Sequence, residues 1–174
     1  MQRQIETRRG RTARGQATRA RIVDAAARLV RTRGVGSTSL DAVLAASHAS
    51  KSQLYHYFAG KDDLMLAVIL RQTDGVLAMH EPLLRGMNSF AALRRWRDAV
   101  VESSRKTRCA GGCPLGSLVS ELAESPQSRE RLAQSFTKWK ACFIAGFRTI
   151  RGRDGKAPRA DLDELATGLL AALQ

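Results

Sequence analysis

Apolar residues recur along most of this 174-residue chain at intervals of three and four positions, the period of one face of an α-helix. No stretch alternates apolar and polar residues over the length of a β-strand. Helix-ending and helix-starting residues separate the periodic segments: Gly34 follows the first, and Asp161 with Glu164 precedes the last. The pattern therefore predicts an all-α protein.

The predicted helices follow one another without an internal repeat. They are expected at about 18–32, 38–46, 51–58, 62–79, from Ser89 through Val100, from Pro114, at 126–150 and at 162–173. The prolines are expected at helix boundaries, where a missing N–H does least harm: Pro82, Pro114, Pro126 and Pro158.

Two short predicted helices, 38–46 and 51–58, are joined by a four-residue turn and lie beside a third, 18–32. In such a helix-turn-helix, the second short helix enters the DNA major groove, which is about 12 Å wide. This spacing predicts a DNA-reading module.

The helix at 51–58 has an apolar side, Leu54 and Phe58, and a polar side. The polar residues suit base edges and phosphates: Lys51, Ser52, Gln53, Tyr55 and His56. Gln53 is a candidate reader of an adenine edge. Three residues at helix ends are candidate phosphate contacts: Thr38, Ser39 and Lys61. Periodicity alone leaves open that these residues form only a solvated helix face.

The net charge of +13 indicates a polyanionic partner, nucleic acid first and an anionic membrane surface second. Residues 1–60 hold eleven basic and three acidic residues, so most of the excess lies in the first third of the chain. Segment 1–17 has no apolar periodicity and is predicted to be a disordered basic arm. Such an arm either solubilises the chain or reaches DNA phosphates and the minor groove.

Two motifs resemble those of a known family. The run from Thr38 to Leu44, followed by Ser50 to Lys61 with its Leu-Tyr-His-Tyr-Phe core, resembles the DNA-binding domain of TetR-family transcriptional regulators. Segment 112–123 is similar to a ligand-domain motif of the LmrA/YxaF-like branch of that family.

The chain departs from the family pattern in and after the turn. His48 stands where glycine is usual, and Ser50 and Ser52 replace residues that are often Pro and Gly in that branch. Histidine tolerates a positive φ better than most residues, so the turn is expected to form.

The resemblance implies roles for individual residues. Tyr55 and His56 are expected to contact bases or phosphates, and four more residues phosphates: Ser50, Ser52, Tyr57 and Lys61. It also implies an N-terminal helix-turn-helix DNA-binding domain at 18–60 and a helical effector-binding and dimerisation domain at 61–174.

The second domain carries aromatic residues at helical spacing, a pattern more typical of plain core than of a ligand site. Since TetR-like proteins hold an effector among these helices, the resemblance favours an apolar pocket. The candidate ligand-binding residues are Trp96, Leu118, Phe136, Trp139 and Phe143.

The implied function is that of a cytoplasmic repressor, which binds a palindromic double-stranded DNA operator as a homodimer. A small apolar or aromatic effector would release it, with the helix that begins near Asp62 acting as a rigid lever. Dimerisation is expected through 126–151 and 161–174, and the last helix is expected to continue beyond Gln174.

The sequence gives little support to several other classes of protein. No apolar run approaches the roughly 18–20 residues of a membrane span, and no metal, cofactor or catalytic motif appears. Cys109, Cys113 and Cys142 fit a reducing compartment, and a thiol switch at Cys113 is less expected than simple packing. The alternatives are a basic protein that binds nucleic acid or membranes without sequence preference, and a thiol-dependent enzyme.

Overall fold

The computed structural model describes residues 12–106, 112–153 and 161–173. Over these ranges it contains helices and no strand, which confirms the all-α prediction. The helices are α1 (Ala13–Arg33), α2 (Leu40–Ser47), α3 (Lys51–Tyr57), α4 (Lys61–Arg85), α5 (Phe90–Lys106), α6 (Gly116–Glu121), α7 (Pro126–Arg153) and α8 (Leu162–Ala171).

Helix α1 begins at Ala13, five residues before the predicted start at Thr18. The Thr12 side-chain oxygen accepts a hydrogen bond of 3.1 Å from the Gly15 N–H and so caps the helix. Residues 13–17, predicted as part of the basic arm, are therefore helical. The sequence pattern missed this turn because its exposed residues carry no apolar stripe. Residues 1–11 of the predicted arm lie outside the described residues.

Helix α4 is longer than predicted and contains Pro82, which was expected at a boundary. Proline lacks a backbone donor, but it sits in the last turn, so α4 continues to Arg85. Two buried residues anchor this end, Leu84 within the helix and Met87 just beyond it. Burial of apolar side chains thus outweighs the lost hydrogen bond.

Of the other three prolines, one lies at its predicted position, one does not, and one falls outside the described residues. Pro126 is the first residue of α7, as predicted. Pro114 lies two residues before α6, which begins at Gly116, so it does not occupy the first helical position. Pro158 lies outside the described residues.

Helix α4 joins two groups of helices, because it packs against α1 on one side and α7 on the other. Against α7, the buried Thr73 hydroxyl donates to the Ser135 hydroxyl at 2.7 Å. Gly146 of α7 allows close approach: a Cβ there would lie 2.8 Å from the Met87 sulfur. Helix α4 therefore contacts both α1 and α7, and it packs closely against α7.

Candidate nucleic-acid interface and internal cavities

Helix α3 presents one side to the core and the other to solvent. Leu54 and Phe58 are buried against α1, while Tyr55 is 50% exposed. The residues that share the open side form what we call the reading face: Lys51, Ser52, Gln53, Tyr55 and His56, all exposed. An acid-free, donor-rich surface of this kind can approach a DNA groove without electrostatic repulsion.

The turn before α3 begins with a residue in the left-handed backbone conformation. His48 ends α2 with φ 51° and ψ 34°, the left-handed region, as expected for the position where the family pattern has glycine. The Arg21 side chain of α1 donates to the Ser47 carbonyl at 2.8 Å and holds the turn against the first helix. Arg19 lies over the Phe58 ring, with its guanidinium carbon 5.2 Å from the ring centre.

Ser50 and Gln53 form a capping box at the start of α3. The Ser50 hydroxyl accepts from the Gln53 N–H at 3.1 Å, and the Gln53 side-chain oxygen accepts from the Ser50 N–H at 2.9 Å. A bidentate contact to adenine needs both the oxygen and the nitrogen of the Gln53 amide. Because the oxygen already accepts one hydrogen bond, the NH₂ group is the part of the Gln53 side chain that remains fully free for DNA. The Ser-x-x-Gln spacing was visible in the sequence and could have identified this role.

Thr38 and Lys61 are placed differently from the other candidate contacts. Thr38 is 1% exposed, and its hydroxyl donates to the Gly34 carbonyl at 2.7 Å, so DNA does not reach it. The Lys61 ammonium donates to the Val35 carbonyl at 2.7 Å. Ser39, in contrast, is exposed and caps α2 by accepting from the Ala42 N–H at 3.1 Å.

The loop after α1 is held from both sides by distant residues. Glu121, the last residue of α6, accepts a hydrogen bond of 2.6 Å from the Val35 N–H, while Lys61 binds the Val35 carbonyl. Charge-assisted bonds of this kind are stronger than neutral ones. Glu121 therefore ties α6 to the module that carries the reading face. Neither periodicity nor spacing signals this contact, since 86 positions separate the two residues.

Three of the predicted ligand-binding residues belong to one buried cluster, and two do not. Trp96, Trp139 and Phe143 surround His80, with ring centres 4.8–6.5 Å apart, and these four residues form the aromatic cluster. Leu118 is buried on α6. Phe136 lines a separate shallow groove with Val119 and Lys140.

His80 is the residue of this cluster that sequence analysis missed. It is 3% exposed, and its Nδ1 accepts a hydrogen bond of 2.9 Å from the Trp96 indole N–H. Burial lowers the pKa of His80 to about 4, so the imidazole is neutral near pH 7. The Trp139 indole N–H is also buried, and it has no hydrogen-bond partner within the described residues.

Two spaces lie on either side of the aromatic cluster. The inner cavity, of about 470 Å³, is lined by residues from α1, α4, α5, α7 and the chain after α8, among them Arg31, Val76, Met79, His80, Trp139 and Leu173. The outer cleft, of about 1010 Å³, lies between α5, α7 and α8 and includes Phe90, Leu93, Trp96, Phe147, Leu165 and Leu169.

The remaining polar chemistry is sparse. Cys113 and Cys142 are free thiols, and burial raises the pKa of Cys142; Cys109 lies outside the described residues. The described ranges contain no group of three or more His, Cys, Asp or Glu residues that could hold a metal ion. None of their helices combines the length and apolar character needed to cross a membrane.

Two family models match the chain. Residues 22–68 match "Bacterial regulatory proteins, tetR family", and residues 89–174 match "Tetracyclin repressor-like, C-terminal domain". The first covers α2 and α3 together with most of α1, and the second covers the helices from α5 onward.

Curated relatives point to the same family. An uncharacterised HTH-type transcriptional regulator of Mycobacterium tuberculosis is 33% identical over 129 residues, which are 74% of this chain and 64% of the relative. The match thus spans less than two thirds of that protein's length. The uncharacterised HTH-type regulator YxaF of Bacillus subtilis is 28% identical over 76% of this chain and 70% of its own.

Solved structures share the fold. A TetR transcriptional regulator from Chloroflexus aurantiacus superposes with a TM-score of 0.77 at 24% identity, over 93% of this chain and 83% of its own. A TetR regulatory protein from Rhodobacter sphaeroides gives a TM-score of 0.76 at 22% identity, over 87% and 82%.

Proposed function

This chain belongs to the tetR family of bacterial regulatory proteins, and we propose that it is a repressor released from its operator by a small ligand. The chain is thus a transcriptional regulator, and the family is one of DNA-binding regulators, which confirms the prediction that it is not an enzyme. The operator, the dimer, the effector and a cytoplasmic location belong to the proposal.

The observation that carries the proposal is the reading face of α3. Its side chains are exposed, whereas Leu54 on the opposite side of α3 and Phe58 directly after the helix are buried. We propose that Tyr55 and His56 contact base edges in the major groove and that the remaining residues contact phosphates: Ser39, Ser50, Lys51, Ser52 and Tyr57. Gln53 contributes the N–H groups of its side-chain amide, and Lys61 keeps further N–H groups for a phosphate beside its bond to the Val35 carbonyl. Thr38 is buried and acts inside the module instead.

The proposed release mechanism uses contacts between the two modules. The inner cavity is bounded by Arg31 of α1 as well as by His80 of α4, so a ligand there touches both helices. Glu121 adds a second connection, to the loop after α1. An effector that binds one arrangement of α1 and α4 better than the other shifts the population between a DNA-binding and a released state.

Dimerisation is proposed through 126–151 and 161–174, which fall on α7 and α8. Apolar residues remain exposed near this surface, among them Leu165 at 48%. A symmetric pair of reading faces fits two half-sites whose centres lie about 34–36 Å apart, or a multiple of that distance.

Selection of bound duplexes from a random pool tests the proposal. A repressor of this kind selects a palindrome with that half-site spacing and prefers it to random DNA by a factor of about 10³ or more. Light scattering at micromolar concentration should give the mass of a dimer. Enrichment of no common sequence, with affinity governed by salt alone, would instead support a basic protein that binds nucleic acid without sequence preference.

A further inference from the structure

Two residues of the aromatic wall of the inner cavity, His80 and Trp139, carry hydrogen-bond donors. One is the Trp139 indole N–H, which is buried without a partner in the described part of the chain. A buried donor left unpaired costs free energy, and a native structure that keeps one often reserves it for a molecule that is not yet bound.

His80 supplies the second donor. Because its Nδ1 accepts the Trp96 indole N–H, the neutral imidazole carries its proton on Nε2. No other hydrogen bond of His80 is found among the described residues, and its ring centre lies 4.8 Å from that of Trp139. The two rings are thus neighbours, and the Trp139 N–H lacks an acceptor within the described residues.

The rest of the cavity wall limits the charge of the ligand. Among the described residues that line it, Arg31 is the one that carries a formal charge, and none is acidic. A cationic ligand would therefore be buried without a partner, which is costly. The neighbouring side chains Val76, Met79 and Leu173 are apolar and favour an apolar body.

We infer that the inner cavity binds an aromatic or alicyclic compound that carries no positive charge and whose carbonyl oxygen accepts hydrogen bonds from Trp139 and His80. The inference rests on the proposed function, since it assigns a chemical class to the effector. It adds His80 to the ligand-binding residues and selects Trp139 from the five that the sequence indicated.

Three compounds of one shape test the inference: 1-tetralone, which has the carbonyl; tetralin, which lacks it; and protonated 1-aminotetralin, which replaces it with a cation. The chain has two tryptophans, so the full chain labelled with ¹⁵N gives two indole N–H signals, which a Trp139→Phe variant assigns. We expect 1-tetralone to shift the Trp139 signal downfield and to bind about 10-fold more tightly than tetralin or the amine. Equal affinities, or a Trp139 signal that 1-tetralone leaves in place, would overturn the inference.

The ratio of the affinity for 1-tetralone to the affinity for tetralin measures the contribution of the hydrogen bonds, because the two compounds have the same shape. Trp139→Phe keeps an aromatic ring and leaves the His80 donor, so the ratio should fall by about 3-fold even where both affinities change. Phe136→Leu, on the same helix but in a separate groove, is the matched control and should keep the ratio. A ratio unchanged by Trp139→Phe counts against the inference, and the wild-type titration decides it alone where that variant fails to fold.

Affinity for the selected operator separates this inference from the proposed function. An operator that binds normally while no ketone binds contradicts the cavity assignment and leaves the regulator intact. A ketone that binds as expected without weakening operator binding supports the site and contradicts its role as the effector site.

Discussion

The reading face and the aromatic cluster place candidate functional side chains in opposite environments. Tyr55 and His56 lie exposed on a seven-residue helix that a capping box and two buried anchors hold in place. His80, Trp96, Trp139 and Phe143 are buried, and they touch one another rather than solvent. On the reading face, substitution should therefore affect binding and spare stability, whereas in the cluster it should affect both.

The largest expected effect is on the free energy of unfolding, and it separates Phe58, a buried residue directly after α3, from Tyr55 on the exposed side of α3. Phe58→Ala removes a buried ring and should lower the free energy of unfolding by about 3–5 kcal/mol. Tyr55→Ala, three residues earlier on the exposed side, should change it by less than about 0.5 kcal/mol. Urea denaturation of both variants measures the difference. Similar losses in the two would mean that Tyr55 is part of the core.

The aromatic cluster should make the protein sensitive to acid. The pKa of His80 is about 4 when folded against 6.5 when unfolded, so the unfolded chain binds more protons between these values. The stability contributed by His80 is complete above pH 6.5 and is lost as pH falls towards 4, a loss of order 3 kcal/mol.

Unfolding of His80→Asn measured against pH provides the check, since asparagine keeps an acceptor for Trp96 and does not titrate. The change in the free energy of unfolding between pH 6.5 and 4 should be smaller in this variant than in the wild type, whereas His56→Asn on the reading face should behave as wild type. A wild-type profile that is flat over this interval would show that His80 is not protected by burial.

The contact between the modules should have an intermediate effect. Glu121→Ala removes the acceptor of the Val35 N–H and should lower the free energy of unfolding by about 1–2 kcal/mol. Glu124→Ala, an exposed residue three positions later, is the matched control and should be close to neutral. Thermal unfolding of the two variants makes the comparison, and equal melting temperatures would show that the contact does not couple the modules.

The smallest expected effect concerns the turn before α3. His48→Gly removes the cost of a left-handed backbone and should raise the free energy of unfolding by less than about 1 kcal/mol. Ala49→Gly, at the next position, should lower it, because glycine there gains freedom only in the unfolded chain. Denaturant midpoints that move in the same direction for the two variants would contradict the inference that the left-handed backbone at His48 costs free energy.

The sequence separated buried from exposed residues more clearly on α3 than in the aromatic cluster, for a physical reason. Helical spacing separates the two sides of α3, so Leu54 and Tyr55 could be assigned to core and surface directly. Inside the aromatic cluster the rings of His80, Trp96, Trp139 and Phe143 are all buried, so periodicity does not separate a ligand contact from plain core.

What the sequence missed depends on contacts between distant residues. The role of Glu121 follows from a partner 86 positions away, and that of His80 from the Trp96 indole. The start of α1 at Ala13 and the position of Pro82 within α4 were missed because capping and burial outweighed the apolar pattern.

The most direct test of the account compares Tyr55→Ala with wild type on two duplexes, the selected operator and a scrambled sequence of equal length. If the exposed side of α3 reads bases, operator affinity should fall by about 5–150-fold, while affinity for the scrambled duplex changes by less than about 2-fold. An equal loss on both duplexes would mean that this side chain contacts phosphates alone, and would contradict the assignment of α3 as the reading helix.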